Sequence, residues 1–166
     1  GLVEYDLQNI LQPLRRFIDP GTGQPLVGRR ILIVPENHRI PGAQPGDVIL
    51  LRDLPNDKLL ENPINEVIKI NPREETPAVI PIVQLQDQFE YSLFKDINIG
   101  PHGFLYFLTT YPSKILFVNS KGEVKEFIHR ILPEAWHFAY MEDNRAFYLQ
   151  PRLPISTLIR VSEDGN

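Results

Sequence analysis

Histidine is the side chain best suited to move protons near neutral pH, and the chain has four, His38, His102, His129 and His137. His137 stands beside the sole tryptophan, Trp136, within the apolar run Trp136–Met141. A general base needs an imidazole held in a fixed place, and this is the histidine best placed for that work. Arg30 and Asp96 become its companions when the chain is aligned with itself, as set out below. An arginine, a carboxylate and an imidazole that converge could orient an oxyanion, hold a cation or transfer a proton. The plainer reading of each is a strand-end residue with no shared target, the imidazole hydrogen-bonded to a neighbouring strand.

Other chemistries lack their residues. Zero cysteines remove disulfides, thiolate metal sites and cysteine nucleophiles. No Gly-x-Ser-x-Gly elbow, His-Glu-x-x-His pair or EF-hand spacing occurs. His38 and His129 have no ligand partner at strand or helix spacing, and His102 falls in a tight turn. No metal site is therefore expected. Gly21-Thr22-Gly23 lacks the third glycine and the helix of a dinucleotide loop and reads as a plain turn.

Composition narrows the partners. A net charge of -4, with no basic cluster beyond the pairs Arg15-Arg16 and Arg29-Arg30, argues against nucleic acid, which needs a concentrated cationic surface. The longest apolar run is about six residues, Ala78 to Val83, too short for a membrane span. The chain begins at Gly1 and not Met, as after removal of a leader, which favours an exported or periplasmic setting.

The elements that must position these residues are strands. Prolines number 16 of 166, and most punctuate short apolar runs, where a missing N–H harms no ladder. Only Asp6 to Phe17 has helix-like spacing, and Pro13 interrupts it. The clearest unit has strands Leu93–Gly100, Phe104–Thr109, Lys114–Asn119 and Glu123–Ile128. A second copy has Trp136–Met141, Arg145–Leu149 and Thr157–Val161. An earlier, decorated copy has Arg29–Val34, Asp47–Leu51, Asn65–Ile70 and Ala78–Val83, with polar inserts at Pro35–Gly46 and Arg52–Pro63. Before it, Leu2–Asp6 and Leu14–Ile18 resemble strands three and four of a further unit.

Recurrence of a four-strand unit at about 40 residues predicts an all-β chain of the β-propeller kind, with about three four-stranded antiparallel blades. The expected divisions are a partial blade at 1–18 and blades near 27–84, 93–129 and 135–166. So few blades do not close a ring, so other chain segments are expected to complete it. The alignment places Arg30, Asp96 and His137 at equivalent positions of three successive first strands. Aromatic residues such as Phe104, Tyr106, Phe117, Phe138 and Phe147 alternate within strands, as packing between blades requires.

At Gly100-Pro101-His102-Gly103, Leu105-Tyr106-Phe107 and Ile115-to-Gly122 the chain resembles the NHL and SMP-30-like six-bladed β-propeller superfamily, which includes sugar dehydrogenases of the sorbosone type. The likeness covers about one blade, with weaker echoes elsewhere, and His102 stands where the family usually has Asp. It implies fold more than activity, because function sits in sites grafted onto folds. An enzyme of the sugar-dehydrogenase or lactonase type would use His137 as base with Arg30 and Asp96 orienting substrate, and calcium or a quinone as cofactor. Glu36-Asn37, Asp96-x-Asn98 and Asp143-Asn144 would be the calcium ligands to consider under that implication. The missing catalytic motifs and the insert-rich first unit favour a non-enzymatic module that recognises a protein or saccharide through its loops. Pro35–Gly46 and Leu54–Pro63 are the loops expected to carry that binding.

Overall fold

Alternation of apolar and polar residues between Pro, Gly and Asn turns drives the chain into short antiparallel strands. A computed structural model describes residues 3–6, 9–53, 65–74, 78–84, 93–110, 112–128, 132–152 and 157–164. The architecture is all-β. Strands β1 (Val3–Asp6) and β2 (Asn9–Arg16) form an antiparallel pair. The second strand begins earlier than its apolar pattern suggests and absorbs the helix-like stretch. Pro13 lies beside a ladder irregularity opposite Tyr5, where a strand tolerates a residue without N–H.

Three meanders follow. The first joins β3 (Arg30–Ile33), β4 (Val48–Asp53), β5 (Asn65–Ile70) and β6 (Val79–Gln84) in sequence order. The second joins β7 (Leu93–Ile99), β8 (Leu105–Thr110), β9 (Ile115–Val118) and β10 (Val124–Glu126). The third joins β11 (Ala135–Met141), β12 (Ala146–Pro151) and β13 (Ile159–Ser162). All neighbouring strands are antiparallel. These small up-and-down sheets are the kind from which propeller blades are made. Arg145, expected to open a strand, instead closes a turn in left-handed conformation, and β12 starts one residue later.

The sheets stack face to face through apolar layers. Ile49, Leu51 and Val67 of the first sheet meet Phe94, Ile97 and Phe107 of the second, where the two phenylalanine rings stack at 4.7 Å. Between the second and third sheets, Phe147 packs against Tyr106 at 4.9 Å, Phe138 at 5.5 Å and Tyr140 at 5.2 Å. The aromatics therefore fill the space between sheets as their alternation suggests. Each of the fully buried rings, Phe94, Phe107, Phe138 and Phe147, contributes about 1.5–3 kcal/mol from removal of apolar surface from water.

The first sheet is covered on its other face by Phe17 and Leu26, which pack on Val48, Leu50, Ile68 and Ile70. Burial on both faces explains the unbroken apolar run Val48 to Leu51 of β4 and the adjacent buried pair Val67 and Ile68 of β5. A charge triad secures that cover. Arg52 donates from Nη1 to Asp19 at 2.6 Å and from Nε to Glu66 at 2.8 Å. Burial pushes the Asp19 carboxyl up, but the hydrogen bonds from Arg52 and from Gly21 N–H outweigh it and hold the carboxyl below its usual range. Among the described residues, no helix is long and apolar enough to cross a membrane.

Candidate functional site

The first strands of the three meanders run side by side, and Asp96 joins them. Both β7 and β11 carry a ladder irregularity at the same level, between Phe94 and Asp96 and between Ala135 and His137. A bulge re-aims the side chains around it. Asp96, only 1% exposed, thus accepts the N–H of Ile97 at Oδ1 (2.9 Å) and the N–H of Phe138 at Oδ2 (3.2 Å). Arg30 Nε lies 3.1 Å from Oδ1, an ion contact not aligned as a hydrogen bond. His137 Nδ1 lies 3.3 Å from Oδ2. Two further bonds cross the same seams: Arg29 Nη2 donates to the Phe94 carbonyl at 2.7 Å, and Asn98 Nδ2 to the Phe138 carbonyl at 3.3 Å.

Arg30, Asp96 and His137 therefore do meet, as the alignment of the strands requires. Their chemistry is set by burial. A carboxylate taken out of water needs its lone pairs engaged, and Asp96 engages them across three sheets. With 1% of its surface exposed, it ties the first strands of the three sheets together. His137 is half exposed, and its Nδ1 contact with Asp96 leaves Nε2 on the side away from the carboxylate.

At the far ends of the same strands, the turns between first and second strands of all three sheets border one polar cleft of about 620 Å³. The first turn is the insert Pro35–Gly46, which folds onto the second. Arg39 N–H donates to the Gly103 carbonyl at 2.8 Å. Gly103 has φ +75°, and a Cβ there would lie 2.4 Å from the Asn37 carbonyl oxygen, so only glycine permits this docking. His102 (φ 58°) and Arg145 (φ 46°) are the only non-glycine residues in left-handed conformation among the described residues, and both line the cleft. Such backbone strain persists where surrounding structure enforces it and collects at functional sites.

The wall opposite the insert is a polar lock. Arg145 pairs with Glu163 at 2.6 Å, and the Tyr140 hydroxyl donates to the same carboxylate. Burial, then the adjacent Glu163, push the Tyr140 hydroxyl up to about 12. The Tyr140 and Arg145 hydrogen bonds hold the Glu163 carboxyl below its usual range. The Arg39 guanidinium lies 5.8 Å over the Phe104 ring and has no carboxylate partner among the described residues. Glu142 likewise has no ion-pair partner there.

His102 thus belongs to the cleft wall, although the sequence marks it only as an exposed turn residue, and Tyr140 adds a polar hydroxyl to what reads as core. The signal that finds them is positional: the same turn recurs in each unit. His38 serves its own loop, Nδ1 accepting the Ile40 N–H at 3.1 Å. His129 and the insert Leu54–Pro63 lie outside the described residues. Asp96 and Asn98 are engaged by protein groups, and Asn144 donates to the Tyr148 hydroxyl. Among the described residues, no group of three His, Asp or Glu side chains is close enough to hold a metal. Comparison with protein-family models, with curated proteins and with solved structures finds no match to this chain.

Proposed function

We propose that the chain is a non-enzymatic binding module of the β-propeller type that recognises a protein or saccharide through its loops, in the cleft formed by the three successive turns. The observation that carries this reading is the convergence of Pro35–Gly46, the His102 turn and the Arg145 turn on one polar cleft. Rigid sheets hold these loops, and the two left-handed non-glycine residues stand at its border. The unpaired Arg39 guanidinium and Glu142 carboxylate give it exposed charge of both signs, suited to a charged protein segment or a polyhydroxylated sugar. In this reading the sheets are blades of a ring that other chain segments complete.

The experiment is direct binding of peptide and oligosaccharide libraries to the parent chain and to an Arg39→Ala, Glu142→Ala variant. Both side chains are exposed, so the variant keeps its fold. Loss of binding in the variant supports the reading; undiminished binding overturns it. The enzyme reading, with His137 as base and Arg30 and Asp96 orienting substrate, is favoured by one feature, the Asp96-oriented imidazole. Full turnover by His137→Ala would remove it.

A further inference from the structure

The end of the first strands remote from the cleft carries a second surface. Lys95 and Trp136 are the residues passed over by the two bulges, one on each neighbouring strand. Their side chains meet, the Lys95 ammonium 5.3 Å from the Trp136 ring centroid. Trp136 is nonetheless 46% exposed, the bulkiest ring left in water among the described residues. His137 follows it in the chain and shares the Asp96 carboxylate with Arg30, the two side chains being 59% and 40% exposed.

The charges here do not balance. Asp96 is the sole carboxylate that pairs with any of these groups among the described residues, and its charge is already shared with two backbone N–H groups. Arg30 is held to it at Nε, and neither Nη group has a hydrogen-bond acceptor among the described residues. Among the described residues, the Lys95 ammonium meets only the indole face. By fixing Arg30 Nε and His137 Nδ1 at its own oxygens, Asp96 turns the remaining nitrogens of both side chains outward. Positive charge therefore surrounds an exposed, flat aromatic ring that is itself held by a cation.

We propose that Arg30, Lys95, Trp136 and His137 form a site for a small anionic ligand in which a carboxylate or phosphate adjoins a flat-faced ring. The ring lies against the Trp136 indole, and the anion meets the outward nitrogens of Arg30 and the Lys95 ammonium. This site is separate from the cleft and does not depend on it.

The chain has one tryptophan, so indole fluorescence reads this site alone. The probes are a galacturonate oligomer, with a neutral galactose oligomer as its counterpart, and adenosine monophosphate, with adenosine as its counterpart. An anionic probe should change the emission saturably and bind at least about tenfold more tightly than its neutral counterpart. The carboxylate arm or the phosphate arm, whichever responds, names the source of the anion. Lys95→Gln and Arg30→Gln should each weaken binding roughly tenfold, since one charge-assisted contact is worth about 1.5 kcal/mol. Arg39→Ala, in the cleft, should leave the titration unchanged. Equal response to anionic and neutral probes, no response to either anion, or full affinity in both Lys95→Gln and Arg30→Gln would overturn the proposal. Lys95 pairs with no carboxylate among the described residues and its ammonium lies over an exposed ring, so the result for Lys95→Gln stands even if Arg30→Gln weakens the fold.

Discussion

Replacing Asp96 by asparagine keeps the shape of the side chain and removes one acceptor and the charge. Each oxygen now receives a backbone N–H, from Ile97 at 2.9 Å and from Phe138 at 3.2 Å. The asparagine oxygen can serve one of them, and its NH2 group must face the other. A buried N–H stripped of its acceptor costs about 1–3 kcal/mol. The contacts to Arg30 and His137 also lose their charge, and because both partners reach solvent each adds only about 0.5 kcal/mol. The expected loss is about 3 kcal/mol. With a urea dependence of about 2 kcal/mol per molar, the unfolding midpoint should fall by about 1.5 M. His137→Ala, which removes an exposed partner and leaves both backbone bonds intact, should cost less than about 1 kcal/mol. If Asp96→Asn costs no more than His137→Ala, the carboxylate does not tie the strands and the reasoning fails.

Gly103→Ala forces a Cβ against the Asn37 carbonyl and a left-handed backbone on alanine, so the insert should undock. Amide exchange at Arg39, whose N–H bonds to the Gly103 carbonyl, should then accelerate strongly while exchange within β4 stays as before. Glu163→Gln should bring the Tyr140 hydroxyl down from about 12 toward its ordinary value, seen as earlier phenolate absorbance in an alkaline titration and absent when Tyr140→Phe is added. Because the folded value is raised, the stability linked to Tyr140 is fully present below the ordinary tyrosine value and is lost as pH rises through about 12. Arg52→Ala leaves Asp19 and Glu66 without their shared cation and should cost about 3 kcal/mol at neutral pH. Asp19 is depressed in the folded chain, so its contribution is present above the unfolded carboxylate value near 3.9 and is lost as pH falls through the folded value. The cost of Arg52→Ala should therefore shrink as acid protonates Asp19, and a cost independent of pH would contradict the pairing.

The three meanders were legible because turn chemistry and alternation agree along the chain. Gly100-Pro101 ends β7, Asn119 to Gly122 separates β9 from β10, and the strand of Val67 to Ile70 repeats at Ile115 to Val118. The meeting of Arg30, Asp96 and His137 followed from that register, since equivalent residues of neighbouring first strands must lie at one level. What the register could not tell was burial. Whether a carboxylate at this level faces solvent or the seam depends on the bulges after Phe94 and Ala135, and bulges leave no mark in a period-two pattern. The cleft was legible only through its longest loop. His102 and Arg145 adopt left-handed backbone without the glycine that would announce it, and Tyr140 has a ring in the core and a hydroxyl at the cleft. The start of β2 was obscured by spacing compatible with a helix, where pairing with β1 decides the outcome.

The most direct measurement is an amide NMR titration of the intact chain with whichever peptide or oligosaccharide binds it. If the cleft is the recognition surface, the shifted amides will be those of Asn37 to Arg39, His102 to Gly103, Tyr140 to Arg145 and Glu163, three turns moving together with one affinity. Shifts confined to a single loop, or to strands distant from all three turns, would contradict that assignment.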